Sequence, residues 1–245
     1  MLENFGPSTE HRLKDDRSPV SEADMRINAH VIERISRAFP EHSLLGEEGE
    51  VLSDSSHVWV FDPIDGTIPY VRGIPTNVFS LALVIDGVPT LGVVYDPHLK
   101  RLYHAIKGEG AFLNDTRIST MQDANLDHGF IEVSGKSRIT KSTLYDELRN
   151  AGVHLLSFYS TIYAQMLVAC GQIEGALYLS SKPWDCAAAK VIVEEAGGIT
   201  SDLAGNDQRY DGPLSGFVSG ANAQVHERLL AIASEIGRAS CRERV

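Results

Sequence analysis

Apolar and polar positions follow two rhythms along the chain. In the first half, Ser21-Glu22-Ala23-Asp24 has the form of a capping box, and Ile27, Val31 and Ile35 recur at helical spacing. Together they predict a helix to about Phe39, ended by Pro40. Val58 to Phe61 is a short apolar run and reads as a strand buried on both faces. Val78 to Ile85, Leu91 to Tyr95 and Arg101 to Ile106 are further strands. Asp86-Gly87, Asp96-Pro97 and Gly108-Glu109-Gly110 mark turns, so this part reads as an antiparallel meander. Thr140 to Asn150 reads as a helix with Leu144 and Leu148 on one face. In the second half, strand Leu155–Phe158, helix Ile162–Cys170, strand Ala176–Leu179, helix Asp185–Ala196 and strand Ile199–Ser201 alternate. That alternation predicts a sheet covered by helices. Gly197-Gly198 falls where a helix C-cap is expected, and a last helix is expected over Ala221 to Ile236. Residues 1–17 read as polar and irregular, broken by Gly6 and Pro7.

The pattern divides into an N-terminal lobe at 1–125, largely antiparallel, and a C-terminal α/β lobe at 126–237. Residues 238–245 are basic and without apolar period, and are read as a cloning or assembly tail outside the fold. Length permits this division: 245 residues can bury a full core as one large domain or two packed lobes. Asn150 to Ile173 carries no formal charge with His154 neutral. Its polar Ser157, Ser160, Thr161 and Gln165 favour a buried strand and helix over a membrane span. A net charge of −11 argues against a nucleic-acid-binding face. Three cysteines, Cys170, Cys186 and Cys241, have no metal-type spacing, and no signal peptide is visible. A cytoplasmic location is expected.

The candidate chemistry starts at Asp62-Pro63-Ile64-Asp65-Gly66-Thr67, directly after the Val58 strand. Pro63 fixes φ and removes one amide donor. A stiff turn of this kind can aim Asp62 and Asp65 at one point and leave the Ile64 carbonyl free to join them. Gly66 permits close backbone approach, and the amides of Gly66 and Thr67 would head the next segment, where anions are favoured. Hard oxygen ligands beside anion-binding amides suggest Mg²⁺ and phosphate. An Asx-type turn with both acids solvated is the plainer alternative.

Other acids sit at element edges. Glu47, in Gly46-Glu47-Glu48-Gly49, reads by itself as a solvated loop acid, as adjacent acids on a flexible loop usually are. Asp24 reads equally as a helix-capping residue, and Asp185, after Trp184, as a helix N-cap. If Glu47, Asp62, Asp65 and Asp185 converge, each pair repels by about 4 kcal/mol at an effective dielectric near 20. Only bound cations make such a cluster tolerable.

Taken in order, these stretches resemble the inositol monophosphatase family of Mg²⁺-dependent, lithium-sensitive phosphatases. The matching motifs are Ser18 to Asp24, Gly46-Glu47-Glu48, Asp62 to Thr67, Trp184-Asp185-Cys186-Ala187-Ala188 and Val193 to Gly198. The hairpin Ile85-Asp86-Gly87 to Gly92-Val93-Val94-Tyr95 matches too, and the resemblance covers about residues 2–236. It implies a layered αβαβα sandwich of the sugar-phosphatase type. It also implies hydrolysis of a small phosphate monoester by metal-activated water, two or three Mg²⁺, and a homodimer; no nucleic-acid or membrane partner is expected, on the charge and the polar residues above. By the same resemblance, Glu47, Asp62 and the Ile64 carbonyl hold one Mg²⁺, and Asp62, Asp65 and Asp185 hold a second. Thr67 and Glu47 orient and deprotonate the water, with Asp24 behind Thr67. Gly66 and Thr67 amides hold phosphate oxygens.

Departures from the family pattern concern the substrate side. Ile68-Pro69-Tyr70 follows Thr67, with Pro69 placed to start a helix, and Ala189 stands for a Gly. Tyr159-Ser160-Thr161-Ile162 is bulkier than the family's stretch, and Tyr178 falls on its acidic inositol contact. Tyr159 and Tyr178 are therefore expected to line the substrate side, and inositol monophosphate leads as substrate by family alone. Histidinol phosphate, fructose 1,6-bisphosphate and 3′-phosphoadenosine 5′-phosphate are open alternatives. A different class, also implied by bacterial relatives, is a binding partner of RNA polymerase in antitermination. Leu2 to Phe5 matches only the end of the family's first helix, as though the start were truncated.

Overall fold

The fold is given by a computed structural model, which describes residues 1–15, 18–134 and 138–242, without the side chains of 138–143 and 235–242. The N-terminal stretch is less irregular than its composition predicts. After a 3₁₀ turn, Leu2–Asn4, strands β1 (His11–Leu13) and β2 (Pro19–Ser21) pair as an antiparallel ribbon. Helix α1 (Glu22–Ala38) starts at the predicted capping box: Ser21 accepts from the Asp24 amide and the Asp24 carboxylate accepts from the Ser21 amide.

Strands β3 (Ser43–Gly46), β4 (Gly49–Val51) and β5 (His57–Asp65) follow, then the short helix α2 (Thr67–Arg72). Pro69 is the third residue of α2 rather than its first, where its missing N–H is still among the unpaired first-turn donors. The predicted meander is β6 (Val78–Ile85), β7 (Val88–Asp96), β8 (Arg101–Ile106) and β9 (Gly110–Leu113), with β10 (Thr116–Arg117) at its edge. Asp86 and Gly87 both have positive φ, 52° and 85°, as a two-residue hairpin turn demands. These strands form one sheet in the order β10-β9-β8-β7-β6-β5-β3-β4.

The second half supplies β11 (Phe130–Ser134), α3 (Arg138–Asn150), β12 (His154–Leu156), α4 (Thr161–Ala169), β13 (Gly175–Tyr178), α5 (Pro183–Glu195), β14 (Ile199–Ser201), β15 (Phe217–Gly220) and α6 (Ala223–Arg242). Its sheet runs β12-β11-β13-β15-β14. Helix α6 continues to Arg242, past the boundary expected at 237. No helix among the described residues is long and apolar enough to cross a membrane.

Three apolar clusters stack these elements in five layers. Val31 and Ile35 of α1 pack on Leu44 and Phe61 of the large sheet. On its other face, Val60, Val84 and Val94 meet Ile162 and Val168 of α4 and Ala187 and Ile192 of α5. Beyond the second sheet, Ile131, Val133, Leu177 and Val218 meet Leu148 of α3 and Leu229 of α6. The order helix, sheet, helix, sheet, helix is the predicted αβαβα arrangement. Because β side chains alternate, Ala176 and Tyr178 of β13 face the α4/α5 layer while Leu177 faces α3 and α6.

The layer holding α5 is set by close approach. A Cβ on Gly92 of β7 would lie 2.6 Å from the Ala188 carbonyl oxygen of α5. Gly92→Ala should therefore push α5 off the sheet and lower unfolding free energy in urea by about 1–3 kcal/mol. Gly212→Ala, with open space around it, should change it by less than about 0.5 kcal/mol. Equal effects of the two changes would show that the helix–sheet contact is not tight.

Candidate active site

The site is assembled by register. Strands β3 and β5 pair in parallel with Gly46 opposite Phe61, so Glu47, just past the end of β3, follows beside Asp62 of β5. Asp62 pairs with Ser80 and Asp65 with Val78, so three steps on β5 match two on β6. Acids three apart on a regular strand point to opposite faces. The extra residue, a β-bulge, turns both to one side. Pro63 lies inside that bulge, and the Ile64 amide donates to Asp62 Oδ1 at 2.9 Å. The Asx-type bond is thus present, but Asp62 is 2% exposed, so the acid is not solvated.

Asp185 arrives on α5. It is the third residue of the helix, and its carboxylate accepts from the Lys182 amide at 2.9 Å. The N-cap position is Lys182. Asp62, Asp65 and Asp185 each present a carboxylate oxygen, all within 4.8 Å of one another. Asp65 is the best supported: it accepts from Ser160 Oγ at 2.5 Å, Ile162 N at 2.8 Å and Thr161 N at 3.2 Å. The donors come from the N-terminus of α4, where Ser160 is the cap.

Burial pushes all three carboxyls up. For Asp62 the shift is strong, with Glu47, Asp65, Asp185 and Asp24 adding to it. Asp65 rises to about 6 despite its three donors. Asp185 rises to about 8, burial first and the charge of Asp65 second. It is only half-buried, which leaves the cluster open to the cleft on that side. No Lys or Arg forms an ion pair with any of the three among the described residues. Carboxylates this close, two of them buried, with hard oxygens and no ion-paired Lys or Arg among the described residues, suit a divalent cation.

The remaining predicted residues fall at measurable places. Glu47 lies beside the cluster, its carboxylate 2.8 Å from Lys14 Nζ. Lys14 also pairs with Glu48. Asp24 is buried, and burial lifts its carboxyl to about 6. Its Oδ2 takes the Ser21 amide and hydroxyl, while Oδ1 has no partner. The Thr67 hydroxyl, behind which Asp24 is expected, donates to the Ile64 carbonyl at 3.1 Å. Gly66 has φ 88°, and a Cβ there would meet Ser160 Cβ at 2.9 Å and the Thr76 carbonyl at 3.0 Å. Only glycine fits.

Tyr159 is 67% exposed. Tyr178 corrects the expectation that it forms an open wall. It is 2% exposed, and its hydroxyl donates to the Thr161 carbonyl at 3.2 Å, so it supports the α4 N-terminus from below.

The sequence reading left Lys14 and Ser160 out of the site set. Ser160 carried a legible signal, a serine directly before an apolar helix. Lys14 carried none beyond its place before the capping box. Lys14, Glu47, Ser181, Lys182, Trp184 and Asp185 line a cleft of about 680 Å³. An open cleft of about 770 Å³ beside Asp127 and Arg228 has no converging buried carboxylates, so volume does not mark the site.

The shifted carboxyls predict a pH effect with a definite sign. Without cations, Asp65 and Asp185 hold protons up to about 6 and about 8, whereas the unfolded chain releases them near 3.8. The folded state binds more protons in that window, so stability falls as pH rises. In EDTA, the melting temperature should drop between pH about 5 and about 8. Excess Mg²⁺ should flatten the drop, and Asp185→Asn should shrink it. A level or rising metal-free profile would contradict these shifts.

Comparison with known proteins agrees with the geometry. The family model described as inositol monophosphatase family matches residues 1–238. A histidinol-phosphatase of Chlorobaculum parvum is 37% identical over 224 residues, covering 89% of this chain and 85% of its own. The Nus factor SuhB of Xylella fastidiosa is 33% identical over 229 residues, covering 89% and 83%. A solved inositol monophosphatase (IMPase) of Thermotoga maritima superposes with a TM-score of 0.88 at 26% identity, over 97% of this chain and 92% of that one. The chain is a phosphoric monoester hydrolase and belongs to the inositol monophosphatase family.

Proposed function

We propose that this protein hydrolyses small phosphate monoesters with Mg²⁺, two ions or three, bound by its acidic cluster. The observation that carries the reading is the convergence of Asp62, Asp65 and Asp185 within 4.8 Å from two distant parts of the chain. In this reading Glu47, Asp62 and the Ile64 carbonyl hold one cation, and Asp62, Asp65 and Asp185 hold a second. When bound, such cations neutralise the phosphoryl oxygens and acidify a water at neutral pH. The chain's own groups do the positioning, which phosphoryl transfer needs more than a protein nucleophile. Gly66 and Thr67 present amides at the head of α2 to phosphate oxygens. Thr67 gives its proton to Ile64 O, so its oxygen lone pairs stay free to accept from a water. Glu47 is the carboxylate placed to take that water's proton once Lys14 yields it. Asp24, with Oδ1 unpartnered, is an acceptor held in reserve behind this set.

The leaving group sits on the cleft side of Asp185, with exposed Tyr159 as the variable wall. Inositol monophosphate and histidinol phosphate are the first two substrates to test. Phosphate release from a panel of monoesters should require Mg²⁺, stop with EDTA, and fall with Li⁺. Asp62→Asn should lower kcat/KM by at least about 100-fold on every substrate. Activity that survives EDTA and Asp62→Asn would overturn the reading. Tyr159→Ala should reorder the substrates without moving the Mg²⁺ requirement; uniform loss across the panel would remove Tyr159 from the substrate side.

The likeness to a Nus factor supports a second, non-catalytic role as a partner of RNA polymerase. Asp185→Asn should then keep polymerase capture in a pull-down while losing phosphatase activity. Absence of capture by wild type would leave the enzyme reading alone.

A further inference from the structure

Glu132 is a carboxyl in the middle of a sheet, in a position where a carboxyl needs a reason. It lies on β11 opposite Leu156 of β12 and Ala176 of β13 and is 2% exposed. Its neighbours Ile131 and Val133 face the α3/α6 layer, so by alternation Glu132 faces the α4/α5 layer. There its Oε2 accepts from the Phe158 amide at 3.1 Å, just past the end of β12. Being buried, it touches neither the cleft nor any substrate in it.

Phe158 begins the connection that carries the Asp65 donors. Its carbonyl is held from the other side, by the Thr76 hydroxyl at 3.1 Å. Tyr159 follows with φ 56°, a left-handed conformation that a bulky residue keeps only where its surroundings hold it. Ser160, Thr161 and Ile162 come next, and all three donate to Asp65. The strained residue is thus bracketed by a clamp on Phe158 and a clamp on Asp65. Burial pushes the Glu132 carboxyl up to about 8, against the Phe158 amide and with the charge of Asp65 adding. Burial thus disfavours the ionised form of this acceptor beside Asp65.

We propose that Glu132 is a positioning residue of the active site, whose carboxyl fixes Phe158 and so keeps the Ser160, Thr161 and Ile162 donors on Asp65. The proposal rests on Asp65 being a cation ligand. Losing the acceptor leaves the part-buried Phe158 N–H unpaired and frees the turn to relax. Asp65 then loses its orientation, while Asp62 stays where β5 puts it and Asp185 where α5 puts it.

The test is Mg²⁺ binding by calorimetry on the full chain without substrate, together with amide hydrogen exchange at residues 160–162. Glu132→Gln keeps an acceptor and should leave Mg²⁺ affinity within about twofold of wild type. Glu132→Leu should weaken it by about tenfold and raise exchange at 160–162. Thr76→Val, which removes the opposite clamp, should move both readouts in the same direction, and it decides the matter if Glu132→Leu does not fold. Two results would overturn the proposal. One is a Gln variant as impaired as Leu. The other is lower melting temperature with unchanged Mg²⁺ affinity and unchanged exchange. If wild type binds no Mg²⁺, the functional reading fails by itself. The exchange data then judge the clamp: slow exchange at 160–162 in both Leu and Val variants overturns it.

Discussion

Three carboxylates that repel one another are the constraint on which the rest of this molecule depends. Asp62, Asp65 and Asp185 meet within 4.8 Å in a place where burial makes each charge costly. A fold that pays for such a meeting must have rigid means of enforcing it. Two are visible, the bulge in β5 that turns Asp62 and Asp65 to one face, and the tight seat of α5 against Gly92 that delivers Asp185. Neither arises from the acids themselves. Both come from backbone packing, which is why the acids stay in place while their mutual repulsion works against them.

Support around the cluster is uneven, and the unevenness has chemical meaning. Asp65 has three donors from the α4 N-terminus, and these orient it. Asp62 has one local amide. Asp185 has one amide and an open side toward the cleft. The least hydrogen-bonded carboxylates are those with most capacity left for an external cation. On the rim, Lys14 bridges Glu47 and Glu48, so a cation of the chain's own lies at the edge of the cluster, while among the described residues none is ion-paired to Asp62, Asp65 or Asp185.

Much of this was legible in the sequence, and the gaps have physical causes. Helix α1 and strands β6, β8 and β14 lie where apolar period and turn residues put them, because those signals are local. Strand β3 was missed because Leu44-Leu45 is too short a run to show a period. Strand β11 was missed because Glu132 interrupts what would otherwise be a continuous apolar stretch, and the residue that hid the strand is the one with a place behind the site. Motifs and order singled out Asp62, Asp65 and Asp185, which the structure brings together, but not the groups that bond to them. The partners are Ser21 for Asp24 and the Ile64 carbonyl for Thr67, and neither bond has a signal beyond local spacing. Tyr178 was expected on the substrate side because it falls on the acidic inositol contact of the family the chain resembles. Its side chain falls on the inner face of β13, which only the strand register reveals.

The central claim is that these carboxylates form a cation cage. The direct measurement is anomalous diffraction from crystals soaked in Mn²⁺ as a scattering substitute for Mg²⁺. The account predicts a strong peak bounded by Asp62, Asp65 and Asp185, absent in Asp185→Asn crystals. Well-ordered wild-type crystals with those side chains in place and no peak between them would contradict it.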